Sequence, residues 1–164
     1  MIKVGDKIPD STVTESTEFG EVCPVAPAKL SVAEMVAGKR IVIFGLPGAW
    51  TPTCSAKHVP GYLQRRDAIL GKGIDEIWCV SVNDGFVMAA WGREEGAIGK
   101  IRMLGDGGAD LAKKLGLEQE IPGMGTRFKR CSLLVEDGVV KQVNVEAPGK
   151  FEVSDADTML KQLG

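Results

Sequence analysis

The sequence predicts an α/β domain in which a mixed sheet carries helices on its faces. Strand-sized apolar runs alternate with helix-length segments as far as about residue 104, the pattern of a parallel sheet. Asp137-Gly138 then stands between two further apolar runs, which is the strongest short hairpin signal, so the late strands are expected to be antiparallel. With 164 residues and no internal repeat, linker or low-complexity tract, a single domain over 1–164 can bury a sizeable core without disulfide staples.

The elements follow in order. Ser31-Val32-Ala33-Glu34 is a capping box opening a short helix that ends near Gly38. Residues 41–46 form the central strand. Cys54 lies at the start of the next helix, where Pro60 and Gly61 are expected to kink or break the chain, 62–70 is the continuation, and Gly71 and Gly73 stop it. Residues 77–82 read as a second strand, 86–95 as a helix and 101–104 as a short third strand. The hairpin joins 131–135 to 139–145, and Ser154 caps a last helix with Asp157 in its first turn.

Composition narrows the function. Twenty basic against 22 acidic side chains leave a net charge of −2, and no basic stripe is interleaved with aromatics, so nucleic acid is not an expected partner. The apolar runs are too short for a membrane span and Met1-Ile2-Lys3-Val4-Gly5-Asp6 lacks a secretion-signal core, so a cytoplasmic protein away from membranes is expected. Cysteines 23, 54, 79 and 131 contain no C-x-x-C pair and there is one histidine, which argues against a metal site. In a reducing cytosol the thiols are expected to be free, with any disulfide transient and catalytic.

The chemistry centres on Cys54. The central strand runs into Pro47-Gly48-Ala49-Trp50-Thr51-Pro52-Thr53-Cys54, which places a thiol at a helix start. Unpartnered backbone N–H groups and the positive end of the helix dipole favour a thiolate there. Thr51 can bring a hydroxyl beside the sulfur or cap the helix, and two prolines stiffen the turn. Cys54 is therefore read as a nucleophile.

The segment PGAWTPTCSAKHVPGY resembles the active-site segment of the type II, atypical (Prx5-like) peroxiredoxins, whose pattern is P-G-A-F-T-P-T/G-C-S. The likeness continues through EIWCVSVND, GFVM and GTRFKR, and covers nearly the whole chain after about residue 25. It implies a thioredoxin-like fold, no cofactor, and a thiol peroxidase acting on hydrogen peroxide and alkyl hydroperoxides. In that reaction the Cys54 thiolate attacks the terminal peroxide oxygen to give a sulfenic acid. Ionisation alone is too small an effect: an unperturbed thiol about 7 % ionised at about pH 7.4 gains at most about 14-fold, or about 1.5 kcal/mol. Orientation of the O–O bond and stabilisation of the departing charge must supply the rest. The resemblance assigns these duties to Thr51, the Thr53 and Cys54 backbone N–H groups, Pro47 as a shield from water, and Arg127 as the distant guanidinium.

The likeness also frames the second half of the cycle. A C-terminal resolving cysteine is missing, and Cys79, 25 residues after Cys54, matches the position used in plant and some bacterial members. Its apolar strand context equally suits a structural residue, leaving a one-cysteine cycle served by glutathione, glutaredoxin or thioredoxin. His58 is read as a packing or interface residue, and Cys23 and Cys131 as structural. Trp50, in place of the usual phenylalanine, is expected to narrow the pocket rim, and a homodimer is implied. The competing reading is a thioredoxin-like redox sensor without efficient turnover.

Overall fold

A computed structural model describes residues 1–164. The strands are β1 (Thr12–Glu15), β2 (Ala28–Ser31), β3 (Arg40–Gly45), β4 (Glu76–Ser81), β5 (Arg102–Gly105), β6 (Glu118–Ile121), β7 (Gly125–Phe128), β8 (Cys131–Glu136) and β9 (Val139–Val145). The helices are α1 (Val32–Val36), α2 (Val59–Leu70), α3 (Gly85–Glu94), α4 (Asp110–Leu115) and α5 (Ala156–Leu163), with a π-helical turn, Cys54–His58, leading into α2. Seven strands form one sheet in the order β2-β1-β5-β4-β3-β8-β9, and β6-β7 make a separate ribbon. β3, β4 and β5 are parallel, while β1, β2, β8 and β9 join antiparallel at the flanks. This is the mixed α/β sheet expected from the sequence.

Side chains alternate across β3 and divide the core in two. Ile41 and Ile43 belong to an apolar layer with Trp78, Val80 and the buried residues of α1 and α4. Val42 and Phe44 face the other layer, with Cys54, Tyr62, Cys79, Met88, Trp91 and Met159. The nucleophile candidate therefore sits at the upper edge of one of two buried layers, where β3 ends.

Local chemistry explains most element ends. Ser31 Oγ accepts from the Glu34 N–H at 3.3 Å and starts α1, and Asp10 takes the Ser31 hydroxyl and the Ala33 N–H. Asp137 (φ 46°) and Gly138 (φ 79°) both adopt the left-handed region that a tight β8-β9 hairpin needs. Arg102 on β5 joins Glu15 of β1 at 2.8 Å and Glu76 of β4 at 3.1 Å, tying three strands together.

Three details differ from the sequence reading. Pro60 does not break the helix, which continues from Pro52 to Leu70; the disturbance falls just before it, as the π-helical turn Cys54–His58, where the Val59 N–H bonds the Cys54 carbonyl five residues back. The last helix is capped by Asp155, which accepts from the Thr158 N–H, while Ser154 is buried and bonded elsewhere. β1, β2, β6, β7 and α4 were not anticipated, being four to six residues long and, in β6 (EQEI), lacking an apolar alternation.

Candidate active site

The turn after β3 is held from several sides. Thr51 Oγ1 donates to the Gly48 carbonyl at 2.7 Å, and the Thr51 carbonyl accepts from the Ser55 N–H at 3.0 Å. The Ala49 N–H donates to Asn83 Oδ1, which also takes the Ser81 hydroxyl at the end of β4. Trp91 Nε1 donates to Ser55 Oγ at 2.9 Å, pinning the first helical turn to α3. Helical geometry begins at Pro52, so the Thr53 and Cys54 N–H groups fall in the first turn, where a helix has no partner of its own to offer them. Trp50 has φ 65°, a strained conformation for a non-glycine residue.

Cys54 is fully buried, yet its sulfur faces charge. Arg130 Nη2 donates to Sγ at 3.1 Å. The guanidinium on the sulfur is therefore Arg130 and not Arg127, a correction with a topological cause. Cys131 pairs with Gly45 in the β8-β3 ladder, so the residue just before β8 arrives beside the end of β3 and the turn that follows it. Arg127 belongs to the β6-β7 ribbon opposite Gln119, and its guanidinium donates to the carbonyls of Met124 and Pro47 at 3.1 and 3.2 Å. It braces the turn: a Cβ on Gly48 would meet Arg127 Nη1 at 2.7 Å, so only glycine admits that approach. The resemblance points to Arg127 and passes over Arg130 in the same GTRFKR segment; pairing the 131–135 strand with the 41–46 strand would have favoured Arg130.

His58 was left outside the site by the sequence and lies within it. Arg130 Nη1 donates to His58 Nδ1 at 2.9 Å, and His58 Nε2 meets the Ser154 carbonyl at 3.1 Å. A carbonyl only accepts and a guanidinium only donates, so the proton is on Nε2. Burial first, and Arg130 beside it second, push the imidazole pKa down from 6.5 to about 3, so the ring is neutral. Phe44 and Phe151 flank it at 4.8 and 5.0 Å between ring centroids. Tyr62 also donates to the Ser154 carbonyl, at 2.9 Å. Behind Ser154, the Glu146 carboxylate accepts from the N–H groups of Glu152, Val153 and Ser154 and from the Ser154 hydroxyl. Burial alone would raise the Glu146 pKa, and these donors together outweigh it and hold the group below its ordinary value.

A cavity of about 320 Å³ is lined by Pro47, Thr53, Arg130, Phe151, Lys129 and Lys150 among others, and Arg130 is its link to the sulfur. Pro47 and Arg130 share its wall, while Thr51 and Cys54 do not line it: Thr51 lies on the turn after β3 and Cys54 touches Arg130. Trp50 is 56 % exposed and does not line this cavity.

All four cysteines are free. Cys79 lies in the middle of β4, flanked in the ladder by Phe44 and Met103, and burial foremost, with the Cys54 sulfur adding to it, raises its pKa well above the ordinary value. Cys131 is buried on the opposite layer, its pKa pushed up to about 12 by burial, and Cys23 is exposed. No three His, Cys, Asp or Glu side chains are gathered so as to hold a metal ion, and no helix is long and apolar enough to cross a membrane.

The redoxin family profile matches residues 3–160. Peroxiredoxin-2B of Arabidopsis thaliana is 43 % identical over 164 residues, covering 99 % of this chain and 98 % of the relative. Reduced Prx3 of Vibrio vulnificus in complex with hydrogen peroxide superposes with a TM-score of 0.92 at 43 % identity, covering all of both chains. A Burkholderia cenocepacia structure described as a proposed thioredoxin reductase gives a TM-score of 0.95 at 54 % identity, over 100 % of this chain and 99 % of that one.

Proposed function

The chain belongs to the redoxin family and, within it, to the peroxiredoxins, thiol-dependent peroxidases; from that premise we propose that Cys54 is the sulfur that takes oxygen from a hydroperoxide. The observation that carries this is the Arg130 guanidinium 3.1 Å from a buried Sγ, with Arg130 itself on the wall of a cavity. Only a thiolate attacks; the sulfur–oxygen bond forms as the O–O bond breaks, and the departing oxygen leaves as hydroxide or alkoxide and takes up a proton. Arg130 offers its fork of donors to the sulfur and to the peroxide oxygens together. The Thr51 hydrogen already points to the Gly48 carbonyl, so its oxygen is free to accept the hydroperoxide O–H and turn the terminal oxygen towards Sγ. The Thr53 and Cys54 N–H groups add donors where charge develops, and Pro47 walls the cavity. Arg127 acts at one remove, by holding the Pro47 carbonyl.

The peroxide bound in the Vibrio relative supports hydrogen peroxide as a substrate here. The Burkholderia description as a reductase is not carried over, because this chain has no C-x-x-C pair to pass electrons through a dithiol. An external thiol such as glutathione, glutaredoxin or thioredoxin attacks the sulfenic sulfur, releasing water and leaving a mixed disulfide that a second thiol reduces. The burial of Cys79 in a central strand favours this one-cysteine route over a Cys54–Cys79 disulfide, which requires local unfolding. A cytoplasmic homodimer completes the proposal, supported by Trp50 and Phe86 standing 56 % and 48 % exposed on adjoining elements, and sedimentation tests it. The deciding experiment is peroxide consumption with dithiothreitol or glutaredoxin. Steady turnover abolished in Cys54→Ser is expected, whereas one stoichiometric oxidation and then silence indicates the redox sensor.

A further inference from the structure

The cavity that Arg130 shares is larger than hydrogen peroxide needs. Its volume of about 320 Å³ is on the scale of organic-ligand pockets, which begin at about 300 Å³, whereas a water takes only about 30 Å³. Ile121, Val145, Pro148 and Phe151 give it an apolar wall, and the Phe151 ring lies 5.8 Å from the Arg130 guanidinium. Its charges are Lys129, Arg130 and Lys150 against one carboxylate, Glu146, in a chain whose net charge is −2. Glu146 is already engaged by the N–H groups of Glu152, Val153 and Ser154 and by the Ser154 hydroxyl. Lys39 and Lys114 have carboxylates at 2.9 and 3.1 Å, but no ion pair includes Lys129 or Lys150. Backbone contacts fix where both lysines stand. The Lys129 N–H donates to the Leu117 carbonyl at 2.7 Å, and the Glu146 N–H donates to the Arg130 carbonyl at 2.9 Å, joining this segment to the end of β9. Lys150 closes a tight turn, its N–H donating to the Ala147 carbonyl at 3.0 Å with Gly149 at φ 74°. An inorganic anion would leave the apolar wall without a partner, and a plain alkyl peroxide would leave the two ammonium groups without one.

Resting on the peroxidase reading, we infer that Lys129 and Lys150 form a carboxylate subsite, and that the enzyme prefers organic hydroperoxides whose hydrocarbon body carries a carboxylate away from the peroxide group. The carboxylate meets the two ammonium groups, the body lies against Phe151 and the apolar wall, and the O–O group reaches Arg130. The Cys54 thiolate then bonds the terminal oxygen as the O–O bond breaks, and the alkoxide takes up a proton and departs as a hydroxy acid, its carboxylate unchanged. The lysines decide which peroxide binds and do not touch the reacting atoms.

The test compares cumene hydroperoxide bearing a para carboxylate with the methyl ester of the same compound, which differ by one charge. Stopped-flow oxidation without reductant, followed by the fluorescence of Trp91, which is bonded to the residue after Cys54, gives a second-order rate constant for each. The wild-type ratio, carboxylate over ester, should be about five- to twentyfold and should fall towards one as salt rises from about 20 mM to about 500 mM. The double variant Lys129→Gln, Lys150→Gln keeps both stems and should bring the ratio within about twofold of one; changing both lysines to Glu should push it below one. General loosening of the fold would slow both peroxides alike and leave the ratio where it was. A wild-type ratio near one, or a ratio that the double Gln variant retains, overturns the inference. So does a loss confined to the attack of glutathione on preformed sulfenic acid, which would put the recognised carboxylate on the reductant. Oxidation by neither peroxide overturns the peroxidase reading instead; fluorescence titration with the two alcohol products, acid and ester, then still reports whether the lysines select the carboxylate.

Discussion

Arg130 and Arg127 stand three residues apart and serve different parts of the same site. Arg130 reaches the sulfur, and Arg127 holds the Pro47 carbonyl on the rim. Replacing Arg130 by Ala should lower the rate of reaction with peroxide by about 10²- to 10³-fold, the usual penalty for losing a preorganised donor at a developing charge. Arg127→Ala should cost less than about tenfold, because it loosens the turn without removing a group from the reacting atoms. Stopped-flow rates for the two variants measure the difference, and the reverse order would return the catalytic guanidinium to Arg127. The sequence reading names Arg127 alone, because it cannot tell the two apart by position. Nothing in Gly125-Thr126-Arg127-Phe128-Lys129-Arg130 says where a ribbon stops and a sheet strand begins, and the choice depends on which residue lands opposite Gly45.

At the scale of elements, β4 and β5 carry two further expectations. Cys79→Ser should keep most glutaredoxin-supported turnover, since the thiol is buried, protonated and set in a central strand. The same change should lower the unfolding free energy by about 1–3 kcal/mol, because a hydroxyl then lies in an apolar layer. Activity lost while denaturation shows an intact fold would make Cys79 the resolving thiol. Arg102→Ala strands Glu15, whose side chain is 12 % exposed, while Glu76 keeps Lys39 at 2.9 Å and the Trp78 N–H. Arg102 itself is 30 % exposed, so the penalty for the unpaired Glu15 carboxylate is softened by solvent, and a loss of about 1–2 kcal/mol is expected from urea unfolding. Strands this short have little pattern of their own: β1 and β5 share a single paired position, Thr14 with Gly105, and the arginine bridge supplies what the ladder lacks.

Over the whole molecule, the site's polar chain should appear as acid sensitivity. His58 has its pKa depressed in the folded state, so the unfolded chain binds the extra proton between the ordinary value of 6.5 and about 3. Stability is therefore full above about pH 6.5 and falls on acidification by up to ~1.4 kcal/mol per pH unit across that window. Glu146 adds to the fall at the acid end, since its folded pKa is also depressed and its contribution goes as the pH drops through that value. Chemical denaturation between pH 7 and pH 4 should show this slope, and His58→Asn should flatten its upper part. A wild-type curve that is flat from pH 7 to pH 5 would contradict a neutral, buried His58. By itself the chain's sequence determined the alternation of strands and helices, the Asp137-Gly138 hairpin and the placing of Cys54 where a strand yields to a helix, because each depends on neighbours a few residues away. Tertiary structure alone decided which arginine meets the sulfur, that His58 bonds Arg130 as well as packing between aromatic rings, and that Glu146 holds the Ser154 turn beside it from 88 residues further on, because those contacts arise from strand order and register, which no local stretch of residues encodes.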